Sequence, residues 1–264
     1  MTRPSGADGI RKPVLKVSDV RLSFGGIKAL DGVSFEAFEG SVLGVVGPNG
    51  AGKTALLNVV CGVYTPQQGT ITFTGHSLVG RRPEKIAALG IGRTFQGMDH
   101  FSGFTVADYV LLGRTPRLSS SAWGAALLWP AAKRGENRQR SEVLTVLEGC
   151  GLEAYADEVL KGLPYGIQKQ VDIARVIASD CQLVLLDEPT SGTTSSEREL
   201  ISASVQGLID SGVAVLLIDH DIPFVRAHCD RLLAMNYGRV LAVGSVGDVL
   251  ADPLVREVFL GIAT

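Results

Sequence analysis

Gly47-Pro48-Asn49-Gly50-Ala51-Gly52-Lys53-Thr54 decides the reading of this chain. The eight residues fit the pattern G-x-x-x-x-G-K-[S/T] without a mismatch. They lie between a short apolar strand, Ser41 to Val46, and a helical pattern beginning near Gly52. A strand before such a loop and a helix after it mark it as phosphate-binding. Gly47, Gly50 and Gly52 let backbone N–H groups turn inward toward phosphate oxygens, and Pro48, Asn49 and Ala51 complete the nucleotide-holding loop. The helix N-terminus adds the positive end of its dipole. Lys53 is placed to reach the β- and γ-phosphates, and Thr54 to put its hydroxyl on Mg2+.

Downstream, Leu183-Val184-Leu185-Leu186-Asp187-Glu188 is a continuous apolar run ending in two acids. Such a run reads as a strand buried on both faces. Asp187 at its end is the expected Mg2+ carboxylate. Glu188 is the candidate base for the attacking water. Val213 to Ile218 is a second buried strand, and 197–210 between the two reads as a helix. Alternation of this kind predicts a mainly parallel sheet with flanking helices. Val14 to Phe35 alternates loosely, and Gly69 to Thr74 alternates as an edge strand, so an antiparallel sheet is expected beside the core.

Between these parts, helical patterns cover 105–114 and 141–150, with a third starting near Ile167. The stretch 115–140 reads as an irregular surface insertion. It holds Trp123, Leu127, Leu128 and Trp129 beside Lys133, Arg134, Arg138 and Arg140, a composition suited to a surface near anionic headgroups. The fold class is therefore α/β: a P-loop NTPase core plus an antiparallel β-subdomain and an α-helical subdomain at about 97–180. Residues 1–13 are expected to form a disordered tail.

A formal net charge of -2 over 264 residues argues against a bulk nucleic-acid binder. No apolar run reaches the roughly 18–20 residues that span a bilayer. The polar N-terminus carries no apolar targeting core, so a cytoplasmic chain is expected. Cys61, Cys150, Cys181 and Cys229 match no metal-ligand spacing and read as core thiols.

Taken together, residues 14–261 resemble an ABC transporter nucleotide-binding domain. The resemblance implies ATP and Mg2+ as ligands and gives roles to further positions. Phe24, in Leu22-Ser23-Phe24-Gly25, stands where the family carries an aromatic that stacks on adenine. Gln96, in Arg93-Thr94-Phe95-Gln96, matches the glutamine that touches Mg2+ or the attacking water. His220, after the apolar strand, matches the switch histidine of the γ-phosphate.

The family's signature LSGGQ appears here as Leu163-Pro164-Tyr165-Gly166-Ile167, so only Leu163 and Gly166 keep their places. In the family, the signature's Ser hydroxyl and Gly N–H groups bind the γ-phosphate held by the opposite chain of a head-to-tail dimer. Pro164 has neither hydroxyl nor backbone N–H. Gly192-Thr193-Thr194 also lacks the usual Leu-Asp of the following loop. These departures imply an asymmetric dimer whose partner carries the complete signature.

The L-x-Y-G signature resembles the ATPases of branched-chain amino acid importers. So do Ile218-Asp219-His220-Asp221-Ile222 and the ending Val258-Phe259-Leu260-Gly261. Related ATPases serve urea and amides, and one similar group drives lipopolysaccharide export. The resemblance implies transmembrane permease subunits, a second ABC ATPase subunit (the same chain or another) and, indirectly, a substrate-binding protein. It places the chain on the cytoplasmic face of the membrane as a peripheral subunit. The alternative is a nucleotide-binding regulatory subunit impaired in hydrolysis. A soluble ABC ATPase of ribosomes or DNA is disfavoured by the single nucleotide domain and the lack of heptads.

Overall fold

The structure is a computed structural model that describes residues 12–95, 101, 103–114 and 129–260. Its centre is a six-stranded sheet in the order β10-β9-β3-β8-β7-β6. The strands are β3 (Val42–Val46), β6 (Ile91–Arg93), β7 (Leu183–Asp187), β8 (Ala214–Ile218), β9 (Arg231–Asn236) and β10 (Arg239–Ser245). β6, β7, β8, β3 and β9 run parallel, and β10 returns antiparallel. Every residue of β3, β7 and β8 is buried. This is why their sequences are unbroken apolar runs rather than alternating ones.

A second, antiparallel sheet in the order β2-β1-β4-β5 is built from β1 (Pro13–Phe24), β2 (Ile27–Phe38), β4 (Gln68–Phe73) and β5 (His76–Ser77). The expectation of an edge strand at Gly69 to Thr74 is corrected here. β4 pairs β1 on one side and, through Thr72–Ser77 and Phe73–His76, the short β5 on the other. A two-residue neighbour leaves almost no sequence signal.

One carboxylate joins the two sheets. Asp31 of β2, with a side chain 5% exposed, accepts from Arg21 Nη1 at 2.6 Å, from Lys28 Nζ at 3.3 Å and from Arg239 of β10 at 2.7 and 2.9 Å. Its own N–H donates to Gly238 O at 2.8 Å. Such a carboxylate accepts at both oxygens, so three cations serve it without leaving a lone pair stranded.

The helical part has a core of its own. Helices Val106–Leu112, Trp129–Gly149 and Tyr165–Ala178 enclose Val106, Tyr109, Val110, Leu147, Val171 and Ala174. Residues 115–128 lie outside the described residues, and with them Trp123, Leu127 and Leu128. From Trp129 onward, however, the chain is helical, so the irregular reading of 129–140 is corrected. Pro130 falls in the first turn, where its missing N–H is harmless, and Ala, Lys, Arg, Glu and Gln then favour helix. Cys150 and Cys181 are buried, and desolvation pushes both thiols up from their ordinary value.

Candidate functional site

The phosphate loop joins the end of β3 to helix Lys53–Val60. Gly52 is the N-cap of that helix and adopts φ 101°, and a Cβ there would stand 2.5 Å from Ala29 O. Both the left-handed backbone and the close approach demand glycine. At Gly47 a Cβ would collide with Met235 O and lie 2.9 Å from the Ala51 methyl. Gly238 N–H donates to Ala51 O at 2.9 Å, so the β9–β10 turn braces the loop from behind. Asn49, Gly50 and Thr54 are exposed on the open side.

Lys53 bends back over the loop, donating to Gly47 O at 2.5 Å and Pro48 O at 3.0 Å. It is 7% exposed. Burial lowers its pKa, opposed by the charges of Glu188 and Asp187. Asp187 shifts the other way: burial raises its pKa, and Arg93 opposes the rise. Both groups thus move toward neutrality, as desolvation demands of an incompletely compensated pair. Arg93, at the end of β6, donates to Asp187 Oδ2 at 3.2 Å and to Asn58 Oδ1 at 2.6 Å, tying the acid to the phosphate-loop helix.

Asp187 and Glu188 are adjacent, and on a regular strand they would face opposite ways. The chain resolves this at Glu188, which takes φ 50°. For a residue with a Cβ this left-handed turn costs roughly 1–2 kcal/mol. It is held by Glu188 N–H to Ile218 O at 2.8 Å and by Lys169 Nζ to Glu188 O at 2.5 Å. The Glu188 carboxylate meets His220 Nε2 at 3.0 Å. His220 follows β8, as Glu188 follows β7, and one residue links the two exits. Asp219 accepts from Thr190 N at 3.0 Å, from Thr190 Oγ1 at 2.7 and 2.8 Å, and from Asp221 N at 2.9 Å.

The ends of β3, β7 and β8 therefore converge. A cavity of about 370 Å³ opens there, lined by Gly47, Pro48, Asn49, His220, Ile222, Val258 and Phe259. Crevices at the carboxyl ends of parallel strands are where open α/β sheets bind ligands. Phe24 ends β1 with 47% exposure and meets Tyr64 edge-on at 5.0 Å between ring centroids.

Gln96 lies outside the described residues. The backbone leading to it is tightly held: Phe95 N donates to Asp172 Oδ2 at 2.6 Å, and Arg175 Nη2 donates to Arg93 O at 2.6 Å. Leu163 packs against the helical core, and its carbonyl accepts from Gln168 Nε2 at 2.9 Å. Gly166 lies in the first turn of helix Tyr165–Ala178, whose N-cap is Pro164. Sequence reasoning missed Lys169, Asn58, Thr190 and the Asp172–Arg175 pair. Apart from buried polar residues on otherwise apolar faces, no local signal marks them.

The residues fit a magnesium nucleotide. A buried ammonium bonded to two carbonyls, a loop that only glycine can form, and an exposed Thr54 hydroxyl follow one another at the start of one helix. Among the described residues no group of three or more His, Cys, Asp or Glu could hold a metal ion unaided. That suits Mg2+, which takes one or two protein ligands and completes its shell with phosphate and water.

Comparison with known proteins agrees. The family model described as ABC transporter matches residues 30–191. The chain is 33% identical over 253 residues to the high-affinity branched-chain amino acid transport ATP-binding protein LivG of Salmonella typhimurium, covering 96% of this chain and 99% of that protein. It is 32% identical over the same span to BraF of Pseudomonas aeruginosa, a protein of the same description. The ADP conformation of MJ1267, an ATP-binding cassette of an ABC transporter, superposes with a TM-score of 0.82 at 29% identity, covering 95% of this chain and 100% of that one.

Proposed function

Because this chain belongs to the ABC transporter family, we propose that it is the ATP-hydrolysing subunit of a membrane importer for branched-chain or other amino acids. The observation that carries the catalytic part is that Lys53 of the phosphate loop lies within the fields of Asp187 and Glu188, while His220 meets the Glu188 carboxylate at 3.0 Å. The substrate class rests on the near-full-length similarity to the LivG and BraF proteins. We treat 14–261 as one nucleotide-binding domain and about 97–180 as its helical subdomain.

The loop 47–54 holds the phosphates, and Lys53 exchanges its carbonyl partners for β- and γ-phosphate oxygens. Phe24 offers its face to the adenine, which any purine could share. Thr54, Asp187 and Gln96 would hold Mg2+, which when bound would neutralise charge between the β- and γ-phosphates. Glu188 accepts a proton from the attacking water, and His220 fixes the Glu188 carboxylate at 3.0 Å and faces the γ-phosphate. On this reading the left-handed turn at Glu188 lets the base and the neighbouring metal ligand serve the same phosphate.

Two such domains pair head to tail, with Leu163 to Gly166 of one facing the nucleotide of the other. Among the described residues no helix is long and apolar enough to cross a membrane. On the similarity to the LivG and BraF proteins, the chain is read as a peripheral subunit on the cytoplasmic face of its permease subunits, with a substrate-binding protein acting indirectly. Pro164 and Thr194 support an asymmetric pair, in which a partner with a complete signature closes this chain's own site.

The test is ATP turnover of the purified full chain over a range of protein concentrations, with Glu188→Gln as control. Glu188-dependent turnover that rises with concentration, or appears on adding a partner ATPase, is expected. ATP binding without turnover under both conditions would establish the regulatory subunit instead.

A further inference from the structure

Helix Tyr165–Ala178 has no capping side chain: its N-cap, Pro164, makes no side-chain hydrogen bond to it. The first N–H groups of any helix have no intrahelical acceptor and attract an anion. The chain supplies that anion itself. Glu197, in the first turn of helix Ser195–Asp210, lies so close to Gly166 that a Cβ there would overlap its carboxyl carbon and both its oxygens. The same carboxylate accepts from Thr194 N at 2.8 Å and Thr194 Oγ1 at 2.8 Å, closing the capping box of its own helix. Hydrogen bonds from Thr194 hold its pKa below the usual carboxylate value, and the Gly166 N–H adds to them. One acid thus serves two helix N-termini.

The surroundings fix this arrangement. Tyr165, 56% exposed, sets its ring against Gly192, where a Cβ would lie 3.2 Å from the ring edge. The Lys169 ammonium sits 5.2 Å from the ring centroid. The same ammonium donates to Glu188 O, and among the described residues no ion pair joins Glu197 to a cation.

This inference rests on the head-to-tail pairing proposed above, in which the Gly166 N–H faces the other subunit's γ-phosphate. We propose that Glu197 is the specificity-determining residue of that contact, an internal anion that must withdraw before a γ-phosphate from the opposite subunit can take its place. Two anions cannot share one N–H mouth. Glu197 therefore makes this chain a reluctant donor of the signature contact and leaves its own phosphate loop unaffected.

The test uses the full chain carrying Glu188→Gln, with dimer fraction read by light scattering against ATP concentration, both alone and with a partner ATPase of the same transporter. Glu197→Gln is added to that background; its amide oxygen still accepts from Thr194. The half-dimerising ATP concentration is expected to fall about tenfold, as removal of one like charge at a partly solvated contact predicts. Glu197→Asp, charged but one methylene shorter, should fall between. A purely structural role for Glu197 predicts the opposite sign, weaker dimerisation with a lower melting temperature. An unchanged or raised midpoint overturns the inference while the pairing stands. If no combination dimerises with ATP, the pairing fails and the inference falls with it.

Discussion

Asp172→Asn is the sharpest test of how the helical part grips the segment before Gln96. Asp172 is 2% exposed and accepts from Phe95 N at 2.6 Å, Tyr109 Oη at 2.8 Å and Arg175 Nε at 2.8 Å. Arg175 is itself buried, and its guanidinium lies 4.3 Å from the Phe95 ring centroid. Burial alone would lower the Arg175 pKa, but the charge and hydrogen bonds of Asp172 together with those of Tyr109 outweigh it and raise it. Asparagine keeps the volume, loses the charge and offers one acceptor oxygen instead of two. Breaking a buried pair from one side costs about 3–5 kcal/mol, because the other charge is stranded. At about 2–4 °C per kcal/mol for a domain of this size, the melting temperature should drop by roughly 6–20 °C. Urea unfolding near neutral pH measures the energy directly. Asp172→Asn/Arg175→Met removes both charges and should recover most of the loss. A single-variant loss below about 1 kcal/mol, the value of an exposed pair, would refute the reasoning. So would a double variant no more stable than the single one.

Gly52→Ala should abolish nucleotide binding and lower stability by about 1–2 kcal/mol from the left-handed backbone alone, with more from the 2.5 Å approach to Ala29 O; calorimetry with ATP and thermal melting check both. Phe24→Ala should weaken nucleotide affinity by about 1–3 kcal/mol, the value of a base–aromatic stack, and leave the melting temperature of the unliganded chain nearly unchanged, since the ring is half exposed. Asp187→Asn should stop turnover yet raise the melting temperature at neutral pH. The raised pKa of Asp187 means its charged form is disfavoured in the folded chain, so the wild type loses stability as pH rises through that value. The variant's advantage should therefore shrink toward pH 3.8, the ordinary value of the acid, and a series of melts from acid to neutral pH reads it.

The strand-end positions of the candidate site were legible because the residue types proposed for it follow unbroken apolar runs. The loop 47–54, the acids after Leu186 and the histidine after Ile218 each follow an apolar run that predicts a buried parallel strand. What stayed hidden was long-range or conformational. Lys169 and Asp172 are single polar residues on one helix, and Asp172 finds its Phe95 and Tyr109 partners 77 and 63 residues away in sequence. The left-handed turn at Glu188 carries no glycine or asparagine to announce it. The stretch 129–140 read as irregular, yet it is helical, with Pro130 in the one turn where proline is tolerated. The carboxylate of Glu197 reads in sequence as an ordinary capping box, and only the fold shows the second helix it meets.

The weld at Asp31 gives the molecule the properties of a calliper. One jaw is Phe24, at the tip of the antiparallel sheet; the other is the phosphate loop, at the tip of the parallel one. Asp31 N–H bonds Gly238 O, and Gly238 N–H bonds Ala51 O, so two hydrogen bonds in series run from β2 to the loop. Arg239 clamps the same junction through its side chain. On the proposed reading, the gap between the jaws is a fixed gauge for the length from purine to terminal phosphate. Moving one jaw against the other would break the hydrogen bonds that join the sheets. The spacing between purine and phosphate sites is then a property of the scaffold, set before any catalytic group is reached.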